Sequence, residues 1–128
     1  MNKNLVQWIL RISVAGEFIG HGLLAIGGKA DWITWIGKMI GTAPEVSTQL
    51  LWWIGASDVV IAIIVLLFPI PAALLWAAVW DFWTALVRPI VGVGWLDFIE
   101  RFANWGAPLA LLLMSGWPKS SDWFKKLK

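Results

Sequence analysis

The sequence predicts an all-α integral membrane protein, a four-helix bundle with a short interfacial helix after its first span. Of its 128 residues, 59% are hydrophobic and 14% are charged, whereas soluble domains average about 45–50% and about 25%. Four apolar runs approach the roughly 20 residues that a helix needs to cross the hydrocarbon of a bilayer. Prolines or glycines separate these runs, and both residue types end helices. The runs form one domain over residues 1–128.

The first span is predicted over residues 5–27 and ends at two glycines before Lys29. It is too long for the apolar core of a signal peptide, so we interpret it as a retained span. Gly16 and Gly20 within it form a small-xxx-small pair, which predicts close packing against a neighbouring helix. Residues 31–40 have helical periodicity but are too short to cross, as is typical of a helix that lies in the interface.

The remaining spans are predicted over residues 48–68, 72–88 and 97–116. Pro69 and Pro71 force a tight turn between the second and third spans, so these two helices are expected to be antiparallel and adjacent. Barrel strands are unfavourable, because the apolar runs are continuous rather than alternating.

The composition excludes several kinds of functional site. Cysteine is absent and histidine occurs once, which excludes thiol catalysis, iron–sulfur clusters and multi-histidine metal centres. We therefore expect no metal site. The net charge of +2 is too small to indicate nucleic acid as a partner. A chain of this size cannot bury so much apolar surface in its own core, so the expected partner is the lipid bilayer.

Four spans bring both chain ends to one side of the membrane. That side carries five lysines, namely Lys3, Lys119, Lys125, Lys126 and Lys128. On the other side the basic residues are offset by acidic ones. Because cytoplasmic segments are enriched in Lys and Arg, we expect an inner-membrane protein of bacterial type with both termini in the cytoplasm.

Ionisable residues lie within the predicted spans, where a charge costs about 2.5–3.5 kcal/mol on insertion scales. Only Arg11 falls in the inner half of the bilayer. The other ionisable residues, together with the amide of Asn104, predict a polar chamber in the outer half of the bundle, formed by Glu17, His21, Asp58, Asp81, Arg88, Glu100, Arg101 and Asn104. Structural ion pairs without a ligand are the alternative for Arg11, Asp58, Asp81 and Arg88, and Glu100 and Arg101 are alternatively solvated at the interface.

The predicted ligand-binding residues are His21, Glu17 and Asn104. Glu17 lies one helical turn before His21, where its carboxylate can orient one ring nitrogen and leave the other free for a ligand. The alternative is a pair that only satisfies itself in the core. A stripe of tryptophans is interpreted as packing rather than as a cofactor site: Trp76, Trp80 and Trp83.

Residues 11–22, Arg-Ile-Ser-Val-Ala-Gly-Glu-Phe-Ile-Gly-His-Gly, resemble the DoxX-like membrane family. That family is similar in size, with four spans, an early arginine and often a His-Gly pair in the first span. Asp58 in Gly-Ala-Ser-Asp and residues 100–109 also resemble a subgroup of it. Lys29 lies further from His21 than the family's usual basic residue. The resemblance implies a small subunit of a redox-linked, quinone-associated membrane complex, with that complex's other subunits as partners.

The resemblance leaves the ligand open. A quinone is one candidate cofactor, because its carbonyls need hydrogen-bond donors and its reduction needs protons. A haem or chlorophyll-type pigment with His21 as single axial ligand is an alternative. A small transporter or proton-conducting bundle and a purely structural subunit are further alternatives. We expect an accessory subunit rather than a stand-alone enzyme.

Overall fold

The computed structural model describes all 128 residues and is entirely helical, so the prediction of an all-α protein is confirmed. The helices are α1 (Lys3–Ile26), α2 (Ala30–Ile40), α3 (Pro44–Leu67), α4 (Pro71–Ile90), α5 (Trp95–Ile99) and α6 (Phe102–Leu113). Helices α1 and α3 have 24 residues each. By length and composition, these two helices can cross a membrane.

Local capping explains where the first helices begin and end. The side chain of Asn2 accepts a hydrogen bond of 3.1 Å from the N–H of Leu5 at the start of α1, which satisfies one of the free donors of the first turn. Helix α2 ends at Gly41, whose φ of 71° is the left-handed conformation that favours glycine. Helix α3 begins at Pro44 rather than at residue 48, because a proline in the first turn loses no helical hydrogen bond.

The apolar run over residues 97–116, predicted as one span, is not a single helix. Between α5 and α6 the N–H of Arg101 donates to the carbonyl of Phe98, and the N–H of Asn104 donates to that of Arg101. These tighter i to i−3 bonds replace the α-helical pattern and break the helix. The remaining helix α6 has 12 residues and is therefore about 18 Å long.

Helix α1 packs against α3 and α6, and α4 packs chiefly against α6. A short turn at Pro69–Pro71 connects α3 to α4. The two helices nevertheless contact each other much less than α3 contacts α1 or α4 contacts α6. The expected adjacency of α3 and α4 therefore produces only a small direct contact between them. The core is formed by apolar residues of four helices: Val14, Ala15, Phe18, Ala62, Val65, Leu74, Ala77, Leu111 and Leu112.

The closest approach of α1 and α3 is at Gly22 and Gly55. A Cβ atom added to Gly55 would lie 2.5 Å from the carbonyl oxygen of Gly22, so only glycine fits there. Gly16 and Gly20, the predicted packing pair, lie on an open face with no atom within 4 Å of such a Cβ. The prediction of close packing at Gly16 and Gly20 is wrong. Two small residues four positions apart can occur on any face of a helix, so their spacing does not identify the face that meets a neighbouring helix.

The C-terminal segment after α6 folds back onto the turn between α3 and α4. Three hydrogen bonds attach it: Ala72 N–H to Trp123 O at 3.0 Å, Leu127 N–H to Pro69 O at 2.8 Å, and Gln7 Nε2 to Lys128 O at 3.1 Å. On this segment, the hydrogen bond from Lys125 holds the pKa of Asp122 below its usual value. Both chain ends therefore lie at the same end of the molecule.

Candidate ligand cavity

A cavity lies between α3 and α4, and α1 and α2 supply its other walls. Its volume is about 110 Å³. Its walls are mostly aromatic and aliphatic, and its polar lining residues are one histidine, two aspartates, one threonine and one arginine. The lining residues are Phe18, His21, Ala25, Trp32, Trp35, Ile36, Met39, Leu51, Ile54, Asp58, Trp80, Asp81, Trp83, Thr84, Val87 and Arg88.

The two aspartates are the only acids that line the cavity, and both are buried. Asp58 on α3 is 5% exposed and Asp81 on α4 is 3% exposed. One oxygen of each, Oδ1 of Asp58 and Oδ2 of Asp81, is enclosed and has no hydrogen-bond partner. An unpaired buried polar group costs about 1–3 kcal/mol. These oxygens are therefore the atoms of the cavity with the greatest need for a proton or a donor.

His21 and Glu17 lie on the α1 side of the cavity. Nδ1 of His21 is 3.3 Å from Oε1 of Glu17, and the two side chains are 33% and 16% exposed. The pair is close enough for an ionic contact but not aligned as a hydrogen bond, since both Glu17 oxygens still lack a partner. His21 lines the cavity and Glu17 does not. The predicted pair thus exists, with the carboxyl group behind the imidazole.

Arg88 closes the cavity near the C-terminal end of α4. Its Nη1 donates to the carbonyl of Thr84 at 2.6 Å, and its guanidinium lies 5.3 Å from the ring centroid of Trp35. No carboxylate lies within ion-pair distance of it. Because a guanidinium has five N–H donors, Arg88 retains donors for a ligand.

The structure does not bring the last three chamber residues to the cavity. Glu100 and Arg101 form an ion pair with each other at the break between α5 and α6, and Nη1 of Arg101 also donates to the carbonyl of Asp97 at 3.0 Å. Asn104 is half-buried on α6 and does not line the cavity. The break between α5 and α6 separates this segment from the chamber that was predicted for it.

Arg11 lies near the opposite end of α1, away from the cavity. Its Nε donates to the carbonyl of Val65 at 3.3 Å, and its Nη2 donates to that of Leu66. Its guanidinium also stacks 3.9 Å from the ring centroid of Trp8. Arg11 therefore caps the C-terminal carbonyls of α3, where a cation is favourable, rather than pairing with an acid.

Sequence reasoning missed the contribution of α2. This helix supplies Trp32, Trp35, Ile36 and Met39 to one wall of the cavity, although it was interpreted only as an interfacial helix. The signal was present in the apolar face of the amphipathic segment, which needs a partner surface.

The tryptophan stripe on α4 is divided between two environments. Trp80 and Trp83 line the cavity, while Trp76 stacks on Trp80 with ring centroids 5.6 Å apart. Trp80 also packs against the hydrophobic core, so the interpretation of the stripe as packing holds for Trp80, whereas Trp76 and Trp83 are largely exposed.

Comparisons with protein-family models, with curated protein sequences and with solved structures find no match to this chain. The chemistry of the site is that of an apolar cavity with hydrogen-bond donors on Arg88 and His21 and acid groups on Asp58 and Asp81. Such a cavity can hold a flat apolar ring by its walls and exchange protons with polar atoms of that ring.

Proposed function

We propose that this protein is a small integral membrane subunit of a redox-linked complex. We propose that it binds the ring of a quinone in the cavity that α1, α2, α3 and α4 surround. The observation that carries the proposal is the convergence of His21, Asp58, Asp81 and Arg88 on one aromatic cavity. The resemblance of residues 11–22 to the DoxX-like family is in keeping with it. The complex's other subunits would supply the electrons.

The exposed apolar surface supports a membrane location. Only 26 of 128 residues are buried, and large apolar side chains are exposed along the helices. Soluble monomers rarely expose contiguous apolar surface of this extent. Helix α4, with 20 residues, is about 30 Å long and matches the hydrocarbon thickness. We propose that it forms the third span and that α5 and α6 together form a broken fourth span.

The size of the cavity favours a single ring over a macrocycle. Cavities of roughly 150 Å³ hold a benzene molecule, and this cavity of about 110 Å³ is of that order. Sites for larger ligands occupy roughly 300–1,000 Å³. A haem or chlorophyll-type pigment bound through His21 is therefore less well supported than a quinone ring.

The polar residues suit a ligand that carries carbonyl oxygens. A quinone takes up two electrons and two protons when it is reduced. Arg88 and His21 have N–H groups that can donate to carbonyl oxygens, and Asp58 and Asp81 can supply protons. A ring bound against the apolar walls would displace water, which would strengthen each of these hydrogen bonds.

A second candidate is the binding of a small organic cation. Asp58 and Asp81 line the cavity, Glu17 lies behind His21, and Arg88 is the single permanent cation in the lining. Four tryptophan rings surround the same space, and such rings attract quaternary ammonium groups. An acidic, aromatic cavity of this kind favours a cation wherever the acids are ionised.

Quenching of tryptophan fluorescence tests the proposal. Titration of the purified protein in mild detergent with a short-chain benzoquinone should give saturable quenching, because four cavity tryptophans would contact the ring. Arg88→Gln should weaken the apparent affinity about 10-fold or more, the loss expected for hydrogen bonds from a charged group. Arg101→Gln is the matched control, since Arg101 lies outside the cavity.

Two results would contradict the quinone proposal. One is quenching that never saturates, and the other is equal weakening by Arg88→Gln and Arg101→Gln. A saturable response to tetramethylammonium, with none to the quinone, would support the second candidate. Mass spectrometry of the organic extract of the purified protein would identify the native ligand.

A further inference from the structure

The C-terminal segment, residues 114–128, exposes two large aromatic side chains. Phe124 is 78% exposed and Trp117 is 61% exposed. The ring of Trp117 contacts that of Trp123 edge to face, with ring centroids 5.3 Å apart. Exposed Trp and Phe side chains beside lysines are typical of segments that lie where lipid headgroups meet the acyl chains.

This segment is held against the helices rather than free in solvent. The N–H of Leu127 donates to the carbonyl of Pro69 at 2.8 Å, and Leu127 packs against the hydrophobic core. Nζ of Lys126 lies 5.8 Å from the ring centroid of Phe68. Because the segment is already ordered, a molecule that binds it loses little affinity to the cost of ordering the chain.

The same end of the molecule carries lysines without an acid partner. The single acid of the segment, Asp122, pairs with Lys125 at 3.2 Å. The other lysines at this end are exposed and form no ion pair: Lys3, Lys119, Lys126 and Lys128. Four ammonium groups therefore remain available to an anionic partner.

The remaining acids of the protein lie away from this end. Glu17, Asp58 and Asp81 are inside the bundle, about 15 Å along their helices from it. The other acids are at the opposite end of the helices: Asp31, Glu45, Asp97 and Glu100. The end that carries the C-terminal segment therefore has an excess of positive charge, which complements an anionic surface.

Apolar side chains of α3 continue up to these lysines. Leu67 and Phe68, at the C-terminal end of the helix, are 64% and 54% exposed, and Lys126 lies next to the ring of Phe68. A free phosphate ion would contact the lysines only. An anionic lipid has both a phosphate for the lysines and acyl chains for the apolar side chains, so it covers the whole surface.

We propose that the C-terminal segment is a binding site for anionic phospholipids at the membrane surface. The ammonium groups of Lys126 and Lys128 donate to the lipid headgroup, and the rings of Phe124 and Trp117 lie among the upper parts of the acyl chains. The inference rests on the membrane location in the proposed function and not on the quinone.

Native mass spectrometry of the whole protein in mild detergent tests the lipid site. Titration with phosphatidylglycerol and with phosphatidylcholine of the same acyl chains should show tighter binding of phosphatidylglycerol. The double variant Lys126→Gln/Lys128→Gln should weaken phosphatidylglycerol binding about 25-fold, from about fivefold for each lysine at an anionic surface. Its effect on phosphatidylcholine should be much smaller. Lys29→Gln/Lys38→Gln, two exposed lysines at the opposite end, is the matched control and should keep the wild-type affinity.

An environment-sensitive dye at position 124 tests the contact with the bilayer. In nanodiscs, the dye on Phe124→Cys should report a less polar environment when phosphatidylglycerol replaces part of the phosphatidylcholine. The same labelled position combined with Lys126→Gln/Lys128→Gln should show no change, because the lysines that attract the lipid are absent. An unchanged signal with both lysines present would contradict the placement of this residue among the acyl chains.

Three results in the titration would overturn the inference. They are equal affinity of the wild-type protein for the two lipids, equal weakening by the two double variants, and displacement of the lipid by inorganic phosphate alone. The first of these needs no variant to fold.

The failure of this inference is distinct from that of the proposed function. Lys126→Gln/Lys128→Gln should bind the short-chain benzoquinone as the wild type does, and incorporation into nanodiscs reports the membrane location separately. If phosphatidylglycerol is preferred but the quinone does not bind, the lipid site stands and the quinone proposal fails. If the quinone binds and the two lipids bind equally, the quinone proposal stands and the lipid site is contradicted.

Discussion

His21 is the only histidine of the protein, and its partly exposed side chain lines the cavity. One of its ring nitrogens faces Glu17, and its ring contacts Trp32 edge to face at 5.6 Å between centroids. The imidazole is thereby held in one orientation. A residue fixed in this way can serve a ligand or can serve only the stability of α1.

His21→Ala distinguishes these two roles. We expect the variant to keep its helical content and to bind the short-chain benzoquinone at least about tenfold more weakly, equivalent to about 1.4 kcal/mol. Fluorescence titration and circular dichroism measure the two properties. A purely structural role would instead leave the affinity unchanged and lower the free energy of unfolding by about 1–3 kcal/mol.

Arg11 is expected to contribute to stability and not to ligand binding. Arg11→Leu leaves the carbonyls of Val65 and Leu66 without their donor, and it should lower the free energy of unfolding by about 1.5–3 kcal/mol, the range for hydrogen bonds to a charged group. Denaturation in detergent measures this change. Lys3→Leu, at an exposed position on the same helix, is the control and should have little effect. A large loss of quinone affinity in Arg11→Leu would contradict the separation of this residue from the cavity.

Part of the site was predictable from individual residues. Buried charges are expensive, so the sequence indicated that Glu17, His21, Asp58 and Asp81 lie inside the protein. Asn104 was also predicted to lie in the chamber, but that prediction assumed that residues 97–116 form one continuous helix. Because the helix breaks at Arg101, Asn104 does not reach the cavity.

At the level of helices, the contact of α1 with α3 depends on two glycines far apart in the sequence. At Gly55 the backbones approach so closely that a methyl group would overlap the carbonyl of Gly22. Backbone atoms cannot rotate away as a flexible side chain can. The face of α1 that carries Gly16 has no such neighbour.

The paired substitutions Gly55→Ala and Gly16→Ala test this packing. Gly55→Ala should destabilise the protein by about 1–3 kcal/mol, as overpacking does in a close-packed interior. Gly16→Ala should be neutral or stabilise by about 0.5–1 kcal/mol, since alanine favours the helix more than glycine does. Unfolding of both variants in the same detergent gives the comparison. Equal destabilisation by both would indicate that the Gly16 face is also covered.

Helix positions were largely predictable because apolar runs, prolines and glycines act locally. The break between α5 and α6 was not predictable, because Phe98 and Phe102 continue the apolar run on both sides of Glu100 and Arg101. The partners of each helix were also not predictable. Periodicity identifies the apolar face of a helix but not the helix that covers this face. For this reason the sequence did not predict that α2 forms one wall of the cavity.

Across the entire chain, the proposed membrane topology depends on the course of α4 to α6, which distinguishes two crossings from four. Helices α1 and α3 have the length and composition of spans. The segment after α4 returns the chain to the end where the termini meet. With four crossings, the turn near Val93 and the start of α2 near Asp31 face one side, and Lys128 faces the other.

The absence of cysteine makes this arrangement simple to test. In single-cysteine variants at Asp31, Val93 and Lys128, a membrane-impermeant maleimide should label the first two from one side of oriented vesicles and the third from the other. Each variant should react fully after detergent is added, which controls for burial. If Val93→Cys is labelled from the same side as Lys128→Cys, α4 to α6 do not cross the membrane twice.

The stacked rings of Trp76 and Trp80 have an optical consequence. Their planes are 13° apart, and Trp80 lines the cavity while Trp76 is exposed. Two indole chromophores held so close couple their electronic transitions and contribute a paired signal to the near-ultraviolet dichroism. A molecule that enters the cavity and tilts Trp80 changes that coupling. The protein therefore contains its own reporter of occupancy, which Trp76→Phe would remove without altering the cavity wall.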